Sequence, residues 1–308
     1  KYWLIRSSNS NFIIKYINDD TININQALDI LNNDKNVNFS KYRIKKISNN
    51  IRILEPNGLI HEIEYTNSNK ESINWIGKPD YFFECSGKNA ITKDCLPFIK
   101  NKTKLVIISA TSWDVDKTII YGFNHKDFSN NYKIISYGSC TVNAYVPFSN
   151  FINEQYSIID SDVNVVHNIQ EYKLKNYNTL MRKFCTLEKS GPSLLNFINK
   201  NNFVANYTIV PYSGVSIIDF RFRVKKEVIY EKFISDLESA INKGPIKNLY
   251  DINEVDNGPE IYNCSPYSAI FIKKNIKVVN NQIYLPAYFD NENSVNRFYD
   301  LANYLTSK

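Results

Sequence analysis

Apolar residues in the first part of the chain come in short runs and alternations separated by Asn, Asp, Pro and Gly. Lys1 to Arg6 predicts a piece of helix, and Phe12 to Asn18 (FIIKYIN) a buried strand that stops at Asp19 and Asp20. A helix over Asn25 to Leu31 is followed by short strands over Tyr42 to Ile47, Ile51 to Leu54 and Ile60 to Tyr65, broken by Asn-Asn and Pro-Asn-Gly turns. Strand, helix and strand then follow over Tyr81 to Cys85, Ala90 to Lys100 and Leu105 to Ser109, an alternation that implies a parallel sheet covered by helices. The character changes after Cys140. A helix through Pro147 to Asn153 leads to longer strands over Asp162 to Ile169 and Val215 to Val224, a helix over Glu227 to Asn242, strands over Ala269 to Lys273 and Gln282 to Tyr288, and a last helix over Asn291 to Leu305. Long strands separated by helices imply a largely antiparallel sheet with helices on one face. The expected fold is α/β: a parallel-sheet, Rossmann-like dinucleotide-binding domain over residues 1–139, an α+β catalytic domain over 140–290, and a C-terminal helix over 291–308 packing back on the first domain.

A length of 308 residues agrees with two domains, because single hydrophobic cores stop growing at roughly 250–300 residues. With 43% hydrophobic and 22% charged residues the chain can bury a core and is not of disordered composition. Its longest apolar runs, such as Leu105 to Ala110, fall far short of the roughly 20 residues a membrane span requires. A formal charge of +6, with both signs interspersed, suits anionic metabolites and does not point to nucleic acid. Five irregularly spaced cysteines (Cys85, Cys95, Cys140, Cys185, Cys264) do not form a disulfide framework and imply an intracellular, reducing compartment, cytoplasm or organelle. No metal is expected. The chain opens on Lys1, and Met181 is its only methionine, so the sequence is expected to begin downstream of its translated start.

The candidate chemistry centres on Ser136 to Phe148 (SYGSCTVNAYVPF), which resembles the active-site signature of glyceraldehyde-3-phosphate dehydrogenases, with Val142 in place of a threonine. Lys104 to Phe128, Tyr81 to Gly87 (YFFECSG), Val165-Val166-His167, Val215 to Asp219, Lys243 to Tyr250 (KGPIKNLY) and Phe289 to Leu301 also resemble family segments, in family order. A thiol attacks only as thiolate, and a helix N-terminus and an imidazole both help to form one. His167 lies 27 residues after Cys140, the family spacing, with room for one helix and one returning strand. The resemblance implies that Cys140 is the nucleophile and His167 its proton partner. Aldehyde oxidation would pass through a thiohemiacetal and a thioester that inorganic phosphate cleaves. It also implies NAD or NADP as cofactor, with Asp19 on the adenosine ribose, Ser86 and Gly87 along the nicotinamide ribose and Asn291 on the carboxamide. Ser139, Thr141, Ser190 and Gly191 would bind phosphate, and the substrate would be a small phosphorylated aldehyde.

The sequence also departs from the family. The glycine-rich loop that would cradle the pyrophosphate falls before Lys1 in this alignment. A phosphate-binding arginine is replaced by Ile209, and the threonine and aspartate after the histidine by Gln170 and Tyr172. The segment from His167 to Ser190 is shortened, so a homo-oligomer is expected to stop at a dimer rather than a tetramer. Arg182 or Lys183 in that segment could supply substitute charge. The tyrosine expected after Asn291-Glu292 is missing. Two readings follow: an active phosphorylating aldehyde dehydrogenase, which the sequence does not separate from erythrose-4-phosphate dehydrogenase, or a catalytically inactive paralogue serving as a subunit or scaffold of a larger complex.

Overall fold

A computed structural model describes residues 2–5, 9–33 and 41–308. These form two compact units, one of residues 1–118, 128–137 and 299–308, the other of 119–127 and 138–298.

The first unit contains α1 (Tyr2–Ile5), β1 (Tyr16–Asn18), α2 (Ile24–Asn33), β2 (Arg43–Ile47), β3 (Asn50–Leu54), β4 (Ile60–Thr66), β5 (Tyr81–Glu84), α3 (Thr92–Cys95), β6 (Leu105–Ile108), β7 (Lys117–Thr118) and β8 (Ile134–Ser136). Helix α2 begins on a reciprocal cap: the Asn23 side chain accepts from Asn25 and Gln26 N–H, while Gln26 Oε1 accepts from Asn23 N–H. It buries Ala27 and Leu31 against Ile51, Ile53 and Ile63, alternate residues of the β3–β4 hairpin. The strands form two separate four-stranded sheets. One has the order β1-β4-β3-β2, parallel only at β1 and β4; the other, β5-β6-β8-β7, is parallel throughout. All four side chains of β6 are buried, as expected of a run of Leu, Val and Ile between two parallel neighbours. The edge strands β1 and β5 line one cleft of about 1050 Å³. Two sequence expectations are corrected here. The strand foreseen from Phe12 begins only at Tyr16, where β4 supplies hydrogen-bond partners. The helix foreseen over Ala90 to Lys100 is one α-turn followed by a 3₁₀ turn, because Pro97 has no N–H to continue the ladder.

The second unit runs through α4 (Cys140–Tyr156), β9 (Ile158–His167), β10 (Met181–Arg182), α5 (Thr186–Leu194), β11 (Phe203–Ile209), β12 (Ser216–Val224), α6 (Tyr230–Asn242), β13 (Tyr250–Asn253), β14 (Ala269–Ile272), β15 (Lys277–Val279), β16 (Gln282–Phe289) and the start of α7 (Glu292–Leu305). Its sheet has the order β10-β11-β9-β12-β16-β14-β13, with β15 also on β16, and is antiparallel except at β11/β9 and β13/β14. Inward residues of β9, β11, β12 and β16, including Val163, Phe203, Phe220 and Leu285, share one core with Tyr145, Phe148 and Ile152 of α4.

The sequence reading runs the first helix of this unit through Pro147 to Asn153. The structure starts it at Cys140 and carries it through the proline. Tyr250 makes that tenable. Its buried hydroxyl accepts from Phe148 N–H at 3.1 Å and donates to Ala144 C=O at 2.8 Å, standing beside the Asn143 carbonyl that Pro147 cannot serve. A hydroxyl from another strand thus fills the gap in the helix ladder.

Candidate active site around Cys140

Gly138 turns the chain into α4 at φ +88, where a Cβ would lie 2.9 Å from Ile120 and 3.2 Å from Val142, so glycine is required on both counts. Ser139 is the N-cap, its hydroxyl accepting from Val142 N–H, and the buried Asn143 amide donates back to the Ser139 carbonyl at 3.0 Å. Val142 is itself fully buried, so the methyl of valine serves packing at a position where the family signature has a hydroxyl. Cys140 therefore occupies the first turn of a 17-residue helix, at the positive end of its dipole.

His167 ends β9 with its Nε2 3.5 Å from Cys140 Sγ. Its Nδ1 lies 2.7 Å from the Asn168 carbonyl, which can only accept, so Nδ1 carries the ring proton and Nε2 presents a lone pair to the thiol. Burial lowers the His167 pKa below its ordinary value, against the opposing pull of that carbonyl, and keeps the ring neutral. Burial pushes the Cys140 thiol up to about 11, while the N–H groups of Thr141 and Cys140 and the Ser294 hydroxyl favour its thiolate. Both shifts favour the uncharged forms, a thiol facing a neutral imidazole.

The surroundings fix this pair. Asn168 accepts from Asn291 Nδ2 at 2.7 Å through its side-chain oxygen and donates to the Gly214 carbonyl, while its N–H goes to Ser216. The rings of Tyr207 and Phe289 lie 5.3 and 5.6 Å from that of His167. Buried Asn293 and Arg297 donate to the carbonyls of Ser268, Asn248 and Pro266, which anchors the first turns of α7 that carry Ser294.

A second helix start converges here. Thr186, first residue of α5, places its hydroxyl 3.0 Å from Ser139 Oγ, and Ser139 Oγ is 3.2 Å from Thr141 Oγ1. The N-cap of α5, Cys185, touches Thr141 through its buried sulfur at 3.8 Å. Ser139 and Thr141 are thus brought together as the sequence implies, but Ser190 and Gly191 are not added to them. Both are buried inside α5, the Ser190 hydroxyl has no hydrogen-bond partner among the described residues, and a Cβ on Gly191 would meet Phe203. The sequence reading set no helix over this segment; the apolar spacing of Leu187 and Leu194 was the available signal for it, and Thr186 was missed with it. Ser294 and Tyr207 carried no local signal, because only tertiary packing brings them to the pair.

Ile209 ends β11 directly opposite His167 in the parallel ladder, so an apolar branch stands beside the histidine. Gln170 is exposed, and the side chain of Tyr172 lies outside the described residues.

The other residues singled out from sequence lie elsewhere. Asp19 follows β1 and accepts from Thr21 N–H, Thr21 hydroxyl and Ile22 N–H through one carboxylate oxygen. Partial burial raises its pKa, but these bonds and Lys88 outweigh that and hold it below the usual value, so it is an anion. Ser86 hydrogen-bonds Glu84 just after β5, and Asp19 and Ser86 line the same cleft of the first unit. Gly87 has φ +70 with open space around it. Asn291 belongs to the second unit and meets Asn168. Among the described residues no helix is long and apolar enough to cross a membrane.

No family model matches the sequence. The chain is similar to glyceraldehyde-3-phosphate dehydrogenase 1 of Bacillus cereus, 27% identical over 240 residues, covering 73% of this chain and 72% of the relative. The glyceraldehyde-3-phosphate dehydrogenase of Sclerotinia sclerotiorum is 26% identical over 306 residues, covering 94% and 89%. Glyceraldehyde-3-phosphate dehydrogenase 2 of a Nostoc species is 25% identical over 261 residues, covering 78% and 76%.

Proposed function

This chain is a divergent member of the glyceraldehyde-3-phosphate dehydrogenase family, and from that premise we propose that it is a cysteine-based, NAD(P)-dependent aldehyde dehydrogenase that forms an acyl phosphate. One observation carries the reading: the His167 tautomer set by Asn168 turns an unprotonated Nε2 toward Cys140 Sγ at 3.5 Å. As Cys140 attacks an aldehyde carbon, its proton passes to Nε2, and the sulfur gains N–H partners at the start of α4 and the Ser294 hydroxyl. The former carbonyl oxygen takes that proton back from Nε2, giving a thiohemiacetal and a neutral imidazole again. His167 then takes the hydroxyl proton as the carbon is oxidised, leaving a thioester on Cys140. A phosphate held by the hydroxyls of Ser139, Thr141 and Thr186, where two helix N-termini converge, attacks the acyl carbon. The thiolate leaves, and His167 returns its proton.

The first-unit cleft fits part of a dinucleotide: the ionised Asp19 keeps one oxygen open for a ribose diol, and the backbone at Gly87 is uncrowded. Ser86 would line the nicotinamide-side ribose there. NAD(P), when bound, supplies the hydride acceptor. A second reading, a non-catalytic subunit, draws support from Ile209 beside His167 and from the high pKa of the thiol. The test joins iodoacetamide labelling of Cys140 to NAD(P)H formation from aldehyde and inorganic phosphate, in wild type and in Cys140→Ser. A reactive Cys140 with Cys140-dependent NAD(P)H formation supports the enzyme; an inert Cys140 and no turnover with either nucleotide support the subunit.

A further inference from the structure

We propose that Lys183, and not its neighbour Arg182, supplies the positive charge that receives phosphate at this site. The inference rests on reading the Cys140 pocket as a site for phosphorylated aldehyde and phosphate.

It follows from strand register. In β10 and β11, Met181 pairs with Ile209 and Arg182 with Thr208. The ladder continues one residue further, since Lys183 N–H donates to the Tyr207 carbonyl at 3.1 Å. Directly paired residues of an antiparallel ladder share a sheet face, and successive residues alternate. Lys183 therefore shares the face of Tyr207, and Arg182 that of Thr208. The parallel β11/β9 ladder settles which face matters: Tyr207 pairs with Val165 and Ile209 with His167. The ring of Tyr207 is 5.3 Å from that of His167, so this face carries the reaction centre. Arg182 projects from the opposite face.

Charge is needed on the inner face. The residue opposite the histidine is the apolar Ile209, and His167 is neutral. Hydroxyls and helix ends orient a phosphate but do not neutralise its charge. Lys183 is exposed, and its ammonium forms no ion pair with a described residue. It stands two strand spacings across from Val165, and His167 lies two residues further along β9, so its backbone is roughly 12 Å from the histidine, and its long flexible stem carries a compact charge suited to phosphate. Lysine binds phosphate as a point charge, without the fixed fork of a guanidinium, so it tolerates the irregular strand end after β10.

The experiment titrates inorganic phosphate into wild type, Lys183→Ala, Lys183→Arg, Arg182→Ala and Thr186→Val, reading affinity by calorimetry and ³¹P line broadening. Thr186→Val identifies binding at this seat. The expected result is a loss of roughly tenfold in Lys183→Ala, the size of one charge-assisted contact at a solvent-facing position. Lys183→Arg restores binding and Arg182→Ala stays within about twofold, the loss shrinking at high salt. Three results overturn the proposal: no phosphate binding by wild type, weakening by Thr186→Val but not by Lys183→Ala, or equal weakening by both cation variants. Cys140 labelling is scored separately, so an inert thiol beside Lys183-dependent phosphate binding refutes the enzyme while this assignment stands.

Discussion

Replacing Tyr250 by Phe removes one buried oxygen and keeps the ring, which tests how α4 survives its own proline. The hydroxyl accepts from Phe148 N–H at 3.1 Å and donates to Ala144 C=O at 2.8 Å, with Asn143 C=O at 3.3 Å. Residues 143, 144 and 148 are all buried, so water cannot replace it. Without the oxygen, Phe148 N–H and Ala144 C=O can approach each other and close an ordinary helical bond, at the cost of moving a turn that Tyr145 and Phe148 pin in the core. If the turn is held, each of the two orphaned groups costs about 1–3 kcal/mol, giving roughly 2–6 kcal/mol in total. For a unit of this size that lowers the melting temperature by roughly 4–24 °C. Urea and thermal melts of wild type and Tyr250→Phe measure it. Because the first turn of α4 carries Cys140, iodoacetamide labelling of that thiol in the variant should change as well. A loss below about 0.5 kcal/mol with unchanged labelling would show that the helix closes freely and that the tyrosine bridge does not support α4.

His167→Ala is expected to slow iodoacetamide at Cys140 by roughly tenfold or more, since a positioned base contributes about 10²–10⁴ to such steps, while the exposed Cys85 in the same sample reacts unchanged. Ser294→Ala removes a donor that favours the thiolate, so the Cys140 pKa should climb further above about 11 and labelling should slow at every pH. Burial depresses the His167 pKa, so the folded state binds that proton less readily than the unfolded chain; stability present above pH 6.5 should fall on acidification below it, by less in His167→Asn, as urea midpoints at neutral and acidic pH will show. Ile209→Arg, which sets a guanidinium opposite His167, should raise turnover of glyceraldehyde 3-phosphate; robust turnover by wild type would show that the apolar residue is no handicap.

The sequence by itself determined what depends on local pattern and on residue chemistry. Alternation in β3, β4, β9 and β12 and the all-apolar run of β6 fixed strands, because side-chain period reflects burial on one face or two. The Ser-Cys-Thr signature and the spaced histidine named the central pair, since few residue types can act as nucleophile and base at neutral pH. Tertiary structure decided the rest. A helix through Pro147 was legible, but how it continues past the proline depends on a tyrosine 103 residues further on, whose hydroxyl bridges the interrupted ladder. Whether that thiol rests protonated depends on desolvation by its neighbours, and the histidine tautomer depends on where the Asn168 carbonyl is held. Thr186 reaches Ser139 although 47 residues separate them, and Lys183 and Arg182 part to opposite faces through a register set two strands away. Sequence neighbours say which groups exist, but distance, burial and facing are properties of packing between segments, and no local pattern encodes them.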